Sequence, residues 1–442
     1  MTERELAIDV VQRLRDAGHE ALWAGGCVRD GLLGLIPKDY DVATDARPEE
    51  VRRLFKRTVA VGATFGVVEV LGPYSADGTH KIQVATFRSD VSYSDGRHPD
   101  AVIFSSARED ALRRDFTING MFYDPLAEKL IDYVGGQEDL RAKILRAIGD
   151  PTTRIEEDKL RMLRAVRIAT RFGLAIDPAT HAAIGAMAGQ ISVVSAERIA
   201  EELRKLLVDP NRSHGMNLLL ETGLAQAILP EVVPMKGLPQ GLPSAPNGDL
   251  WDHVMLVLDK LPPEPSFPLA FAALLHDVGK PRTVGRTPDR YTFYYHEHVG
   301  CRMASEIGLR LKLANAERER IEWLVEKHQF LSDARKMKLS KLKTTLAHPG
   351  IGELLALHRA DALASGRSLD HVEFCEQLLG EWTPADLNPA PLLTGEDLKE
   401  RGLEPGPLYK KLLDAVREAQ LDGTAKTRED ALQLVERLLP SV

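Results

Sequence analysis

The sequence predicts an α+β fold, a mixed sheet-and-helix head followed by an all-α neck, body and tail. Three observations carry this reading. Short runs rich in β-branched and aromatic residues lie within the first 140 or so positions, where Val68, Val70, Ile82, Val84 and Phe87 supply them. From Leu140 onward the apolar residues recur at helical spacing, as in Leu160, Leu163, Ala165, Val166 and Ile168, and again in Ile199, Leu203, Leu206 and Leu207. The chain has 442 residues, and at roughly 150 residues per domain that is about three domains.

The elements follow in order. Residues 4–18 read as a helix with Leu6, Val10, Val11 and Leu14 on one face. An apolar strand, Ala21 to Ala24, runs into Gly25-Gly26 and a second helix near Val28–Leu35. Asp39–Val42, Gly66–Leu71 and Lys81–Phe87 read as strands. The Pro/Gly-rich stretch from Pro230 to Gly248 reads as a long loop or linker. A helical block runs from Leu250 to about Gly380, Pro384–Pro391 ends it, and a helical tail from Asp397 to Leu439 closes the chain. No internal repeat or low-complexity tract is visible.

Composition limits the function. Hydrophobic residues make up 44% and charged residues 28%, which suits a globular chain rather than a disordered one. The 57 Lys and Arg against 65 Asp and Glu give a net charge of -8. That excludes a globally basic coat for nucleic acid but allows a local basic channel. Cys27, Cys301 and Cys375 are far apart and form neither a disulfide framework nor a CxxC pair. The N-terminus is charged and amphipathic without a signal-peptide core, and no apolar run approaches a membrane span, so a reducing cytoplasm is expected.

Two spots in the head carry chemistry. Gly25-Gly26, between a predicted strand and a predicted helix, lets a phosphate approach the backbone near free N–H groups; an ordinary tight turn has the same residues. Asp39-Tyr40-Asp41 follows. On a strand, residues two apart face the same side, about 6–7 Å apart along the chain. Two carboxylates held so repel each other unless a cation intervenes, and a pair of Mg²⁺ ions could be bridged by them. A solvated acidic turn is the plainer alternative.

The stretch GGCVRDGLLGLIPKDYDVAT resembles the signature of the class II nucleotidyltransferases. That family, within the polymerase β superfamily, holds the CCA-adding tRNA nucleotidyltransferases and the bacterial poly(A) polymerases. The likeness continues in ATFRSDVSYSDGRHP, in RRDFTING, in YVGGQEDLRAKILRAIGDP, in RIEEDKLRMLRAVR and in SAERIAEEL, in the family's order over residues 23–207. The resemblance implies a polymerase β-like catalytic head over 1–140, a base-reading and RNA-binding neck over 141–212, a helical HD-type domain over 213–390 and a tail over 391–442. It implies that Asp39 and Asp41 are the catalytic carboxylates and bind two Mg²⁺ ions. Gly25, Gly26 and Arg29 fall within the signature, Asp115 and Asn119 where the family contacts ribose and triphosphate, and Arg114 beside them as a phosphate ligand. Arg114 and Asp115 pairing with each other is the structural alternative. Gln83 stands where the family often has Glu; either the two aspartates suffice with water, or Glu69 on the neighbouring strand helps.

Base choice can be read from Glu157-Asp158-x-x-Arg161. Positions i and i+3 share a helix face, which sets an acceptor, Asp158, beside a planar donor, Arg161. Cytosine and adenine offer an amine donor beside a ring-nitrogen acceptor, whereas uracil and guanine invert the pattern. Such a pair accepts C and A and rejects U and G, because a mismatch leaves buried polar groups unpaired. A surface ion pair is the plainer reading. The similar family motif has this templating role. Between 141 and 171 nine Lys and Arg, Arg164 among them as a nucleotide ligand, face four acids, which suits a triphosphate and an RNA 3′ end. A second basic run, Arg335 to Lys343, could follow an RNA backbone or simply be a solvated helix face.

His253, the His276-Asp277 pair with Lys280, and Asp361 resemble the H…HD…D pattern of HD phosphohydrolases. The resemblance implies a divalent metal there, with Mn²⁺, Ni²⁺, Co²⁺ or Mg²⁺ suited to these donors. His296 and His328 are further candidates, and His298 reads as surface. The expectation is a template-independent RNA nucleotidyltransferase adding CMP and AMP from CTP and ATP to the 3′ end of tRNA or another RNA, with no membrane and no obligate protein partner. An A-adding enzyme or a poly(A) polymerase is the alternative within the family. An HD-type metal-dependent phosphohydrolase and an RNA-binding module without catalysis are the alternatives outside it.

Overall fold

A computed structural model describes residues 1–60, 66–74, 79–90, 102–242, 245–287 and 289–439. The chain divides into two compact units, Met1–Pro230 and Glu231–Val442. Residues 91–99, the loop part of the ATFRSDVSYSDGRHP likeness, lie outside the described residues.

The first unit opens with α1 (Glu3–Asp16), fixed at its start by a capping box between Thr2 and Glu5. Leu6, Val10, Val11 and Leu14 are buried, as their spacing predicts. Then come β1 (Ala21–Ala24), α2 (Gly26–Leu32), β2 (Asp41–Thr44), α3 (Pro48–Leu54), β3 (Thr58–Ala60), β4 (Val67–Leu71) and β5 (Lys81–Thr86). A short ribbon of β6 (Arg88–Asp90) and β7 (Val102–Phe104) precedes α4 (Ala107–Leu112), β8 (Phe122–Asp124), β9 (Lys129–Ile131) and α5 (Gly136–Arg141).

Seven strands form one mixed sheet in the order β3-β4-β5-β2-β1-β8-β9, with β2 and β5 parallel and the other neighbours antiparallel. Alternation explains β4 and β5, where Val68, Val70, Ile82 and Val84 point into the core. Phe87 and Phe122 meet edge to face at 5.9 Å, among Leu22, Ala24, Ala43, Ala107 and Ala111. Burying each ring contributes about 2–3 kcal/mol.

Three sequence expectations shift. The second helix is Gly26–Leu32 rather than Val28–Leu35, because glycine at 25 already turns the chain. Strand β2 begins at Asp41, not Asp39. Its first rung pairs Asp41 with Ala24, the last residue of β1, so Asp39 and Tyr40 have no β1 partner to extend it. The stretch read as a loop contains an antiparallel pair, Pro239–Leu242 with Ala245–Asp249; its composition lacks the β-branched signal of a strand.

The rest of the first unit is mainly helical: α6 (Pro151–Glu157), α7 (Arg161–Phe172), α8 (Pro178–Met187), α9 (Ala196–Leu207), α10 (Arg212–Glu221) and α11 (Leu224–Ile228), with a two-residue parallel bridge, β10 (Ile144–Leu145) to β11 (Ala175–Ile176). Every apolar residue predicted for α7 and α9 is buried.

The second unit holds α12 (Leu250–Asp259), α13 (Phe267–Leu275), α14 (Lys280–Thr283), α15 (His296–Arg310), α16 (Asn315–Lys327), α17 (Leu339–Leu346), α18 (Ile351–Ala364) and α19 (Asp370–Glu381). Helix α13 is buried nearly all round and carries His276 and Asp277 just past its end. A short helix, Pro384–Leu387, precedes the tail, whose three helices between Gly395 and Leu438 pack around Leu398, Leu412, Val416 and Val435.

Candidate active site and metal centre

The head site is built where β1 ends. Gly25 has φ 72° and ψ -124°, a conformation that side chains rarely adopt. A Cβ there would also stand 3.1 Å from Arg114 Nη1. Gly26 opens α2. The rung beside this turn is Ala24–Asp41, so the glycine turn and Asp41 lie side by side. Asp39 and Asp41 are both exposed. Crowding by protein atoms first, and the Asp39 carboxylate second, raise the Asp41 carboxyl to about 6. A cation would relieve that repulsion, so the pair fits a divalent metal. Gln83 stands opposite Asp41 on β5, and Glu69 stands opposite Gln83 on β4. At about 4.8 Å per strand Glu69 lies two strands from Asp41, and its carboxylate is 3.7 Å from Lys81.

Arg114 does not pair with Asp115. Its Nε and Nη2 donate to Asp110 Oδ2 at 3.1 and 2.9 Å, and its Nη1 donates to the Asn119 carbonyl at 3.3 Å. Asp110 is buried and also accepts from Arg113. It is the residue that aims Arg114 at the glycine turn, and sequence reasoning missed it. The usable signal was its i,i+4 spacing from Arg114, which follows the end of α4.

Asp115 ties the head to α7. Arg164 donates to its Oδ2 at 2.6 and 3.1 Å, and Asn119 Nδ2 donates to its Oδ1 at 3.0 Å. Burial pushes the Asp115 carboxyl up, but Arg164 and Asn119 outweigh it and hold it well below the usual carboxylate range. Asn119 Oδ1 accepts from Arg29 Nη1 at 2.6 Å. Arg29 is buried, donates also to Asp30, and lies 4.3 Å over the ring of Phe172. Hydrogen bonds thus connect Arg29, Arg114, Asp115, Asn119 and Arg164, with Gly25 and Gly26 packed close to Arg114 and Arg29 and Asp41 on the rung beside the glycine turn.

Asp158 and Arg161 are placed differently from the sequence expectation. Asp158 is extended, with φ -148° and ψ 106°, and breaks the helix between α6 and α7. The two residues therefore do not share one continuous helix face. Arg198 Nη2 on α9 donates to Asp158 Oδ2 at 2.7 Å, while Arg161 pairs with Glu157 and donates to the Arg154 carbonyl at 2.9 Å. Arg198 went unnoticed because its partner lies 40 residues away. The basic residues of 141–171 are largely engaged as well: Arg146 holds Asp139 and Asp177, Arg167 holds Glu202, and Arg171 reaches Asp30. The Arg335–Lys343 run is not one helix face, since Arg335 lies over Phe374, Lys338 pairs with Glu418 and Asp422, and Lys343 lies over Trp382.

The second unit gathers His253, His276, Asp277 and Asp361 from α12, the end of α13 and α18. His253 Nε2 lies 3.2 Å from Asp361 Oδ1 and 3.8 Å from Asp277 Oδ2, and His276 Nε2 lies 3.2 Å from the same Asp277 oxygen. Lys280 Nζ donates to Asp277 Oδ2 at 2.6 Å. Burial would raise the Asp277 carboxyl, but Lys280 and His276 hold it well below the usual carboxylate range. His276 and Asp277 are fully buried, a costly place for such groups unless they are matched to a partner. The donor set fits a divalent metal. His298 is exposed, as expected.

The fold and these sites define a nucleotidyltransferase-type head followed by a helical domain with a histidine–aspartate cluster. Residues 21–146 match the Poly A polymerase head domain, 173–235 the region described as "Probable RNA and SrmB- binding site of polymerase A", and 253–365 the HD domain. The chain thus carries a Poly A polymerase head domain and an HD domain, and it is similar to CCA-adding enzymes. The CCA-adding enzyme of Lacticaseibacillus paracasei is 42% identical over 219 residues, covering 49% of this chain and 54% of that one. The Bacillus subtilis CCA-adding enzyme is 41% identical over 223 residues, covering 50% and 55%. The chain thus spans about half the length of these curated relatives. The crystal structure of Bacillus stearothermophilus CCA-adding enzyme in complex with CTP matches with a TM-score of 0.72 at 26% identity, over 100% of this chain and 99% of that one. The Thermotoga maritima CCA-adding enzyme complexed with tRNA matches with a TM-score of 0.57 at 20% identity, over 99% and 95%, a likeness of fold. No helix among the described residues is long and apolar enough to cross a membrane.

Proposed function

We propose that this chain is a template-independent RNA nucleotidyltransferase that adds CMP and AMP from CTP and ATP to the 3′ end of tRNA, completing or repairing CCA in the cytoplasm. The observation that carries this reading is the Asp39/Asp41 carboxylate pair beside the glycine turn that Arg114 faces. In this proposal the head over 1–140 catalyses, the neck over 141–212 reads the base and binds RNA, and the HD-type body over 213–390 and the tail over 391–442 follow.

The reaction is an in-line displacement in which the RNA 3′ oxygen bonds to the α-phosphorus of the nucleotide and pyrophosphate leaves. Asp39 and Asp41 would hold divalent metal, Mg²⁺ in this proposal, which acidifies the attacking hydroxyl and balances charge on the triphosphate. Arg114, braced by Asp110, presents its guanidinium to the phosphates beside the Gly25 turn, where no side chain blocks their approach. Asp115 and Asn119 orient the ribose, kept in place by Arg164 and Arg29. Asp158 and Arg161 read the base edge, Asp158 positioned by Arg198 rather than by Arg161. His253, His276, Asp277 and Asp361 would hold one divalent ion of their own, which fits a secondary phosphohydrolase activity.

The test offers tRNAs ending before C, after C and after CC single nucleotides with Mg²⁺. Ordered addition of C, C and A supports the proposal. Addition of A to the CC end alone makes the chain an A-adding enzyme, and unlimited A tails on any RNA make it a poly(A) polymerase. Incorporation that survives Asp39→Ala with Asp41→Ala overturns the assignment of the catalytic carboxylates.

A further inference from the structure

We propose that the cavity between α1, β1 and α2 in the head is a binding site for a planar aromatic anion, which acts on the Asp39–Asp41 segment from the side opposite the Asp41 carboxylate. The site itself does not depend on the reaction the head performs. Only the consequence of filling it rests on the reading of Asp39 and Asp41 as the catalytic pair.

The cavity holds about 510 Å³, a volume usual for small-molecule sites. Its walls are Trp23 from β1, Tyr123 from β8, Tyr40 just ahead of β2, and the part of α2 that carries Cys27 and Gly31. Strand alternation decides which side of the sheet this is. Trp23 pairs with Val42, the residue after Asp41, so it stands on the face away from the Asp41 carboxylate. The Tyr40 ring meets Trp23 edge to face at 4.8 Å, and the Tyr123 ring lies 5.8 Å from Trp23, tilted by 32°. Tyr40 thus reaches the cavity while its neighbour Asp41 lies beside the glycine turn.

The walls select the guest. Three aromatic rings favour a flat, apolar ring system, which stacks on them or meets them edge to face. Arg4 selects the charge. It is exposed, lines the cavity with its guanidinium 5.7 Å from the Trp23 ring centroid, and has no carboxylate in ion-pair range among the described residues. An anionic group on the ring supplies that partner. The Trp23 indole N–H is buried without a hydrogen-bond partner, a donor that an acceptor on the guest can satisfy. Leu32 at the end of α2, and Leu35 and Ile36 in the loop beyond it, also line the cavity and are exposed, Ile36 at 93%. Covering them with an apolar ring is the gain that drives binding.

Occupancy bears on the aspartate segment because the segment is held from this side. Asp39 and Tyr40 have no β1 partner. The Tyr40 backbone N–H donates to Glu3 Oε1 on α1 at 3.2 Å, and the Cys27 thiol lies 4.0 Å from the Asp41 carbonyl oxygen. Tyr40 and Cys27 are both walls of the cavity. A guest packed against them restrains the backbone that carries the two carboxylates, so the empty and filled states differ in the mobility of this stretch.

The experiment titrates the full chain in EDTA with 2-naphthoate and with neutral 2-naphthamide by calorimetry. One naphthoate per chain is expected, bound about fivefold more tightly than the amide. Arg4→Gln is expected to remove that preference and leave amide binding unchanged. Gly31 is a helical position where an added Cβ meets nothing within 4 Å. Gly31→Leu therefore adds a side chain to the cavity wall, and is expected to weaken both probes about tenfold with the circular dichroism unchanged. Hydrogen exchange over residues 36–44 is expected to slow about threefold in the naphthoate-saturated protein. No binding of either probe, or undiminished binding in Gly31→Leu, overturns the site. Equal affinity for the two probes overturns the anionic class, and unchanged exchange over 36–44 overturns the action on the aspartate segment. If Gly31→Leu converts a dimer to a monomer in sedimentation, the face is a contact between copies of this chain and the proposal falls. Should Gly31→Leu fail to fold, a crystal soaked in naphthoate decides. Density against Trp23 and Tyr40 with the carboxylate toward Arg4 supports the proposal, and density only elsewhere overturns it.

Discussion

Asp41 faces Gln83 across the parallel β2–β5 pair, rung to rung, on the exposed side of the sheet. A carboxylate at 83 would sit beside Asp41, whereas Glu69 is one strand further and engaged with Lys81. The neutral amide adds no charge repulsion to the Asp41 carboxyl, which burial first and the Asp39 carboxylate second already raise to about 6. Gln83→Glu is therefore expected to strengthen divalent cation binding about fivefold, or ~1 kcal/mol, and to lower the stability of the metal-free protein. Glu69→Gln is expected to do neither. The Mg²⁺ dependence of nucleotide incorporation and urea unfolding in EDTA measure both effects, and an unchanged Mg²⁺ dependence in Gln83→Glu would place position 83 outside the metal site.

The Asp115–Arg164 pair joins segments 49 residues apart, with Asp115 largely but not fully buried and Arg164 about one-third exposed. Arg164→Ala leaves a largely buried carboxylate with the Asn119 amide and the Phe116 N–H as its hydrogen-bond donors. A loss of about 2–3 kcal/mol is expected, below the range for a fully enclosed pair because water reaches Arg164. Adding Asp115→Asn to Arg164→Ala is expected to recover at least half of it. Denaturant unfolding of the two single variants and the double variant gives the coupling, and strict additivity would show that the contact carries no stability.

Base choice depends on Asp158 being held in an extended turn by Arg198. Replacing Asp158 and Arg161 together by Ala is expected to raise UMP and GMP incorporation relative to AMP and CMP by about 10–100-fold while slowing transfer less than tenfold. Arg198→Ala is expected to move selectivity the same way by a smaller factor, and Arg198→Lys to restore part of it. Single-nucleotide incorporation assays separate the two effects. Continued exclusion of U and G in the Asp158/Arg161 variant would remove base reading from these residues.

What was legible in the sequence follows a physical divide. Local periodicity placed β4, β5, α7 and α9, since their own residues decide which face is buried. It misplaced the start of β2, because that is set by where β1 runs out at the Gly25 turn. Residue types were enough to single out Asp39, Asp41, Arg114 and the His253, His276, Asp277 and Asp361 set. Their partners were hidden, since Asp110, Arg198 and the orientation of His296 and His328 toward one carboxylate oxygen depend on contacts between distant segments. The expected Asp158–Arg161 helix face failed because the helix breaks between them, a break that helical spacing alone cannot reveal.

A pH dependence follows from His358 on α18. Its Nε2–H donates to the Lys327 carbonyl at 3.2 Å, and its Nδ1 accepts from His371 Nε2 at 3.3 Å. Burial first, and His371 second, lower its pKa to about 3. The same residue in the unfolded chain titrates near 6.5. Between these values the unfolded state binds a proton that the folded state refuses, so stability falls as pH drops from 6.5 toward 3. The slope is at most about 1.4 kcal/mol per pH unit for one such group. His358→Gln keeps an N–H for the Lys327 carbonyl but cannot titrate. Urea unfolding of the second unit in EDTA is expected to lose stability between pH 6 and pH 4.5 less steeply in this variant, by about 1 kcal/mol per pH unit. Equal slopes in the two proteins would mean that His358 takes up its proton without unfolding.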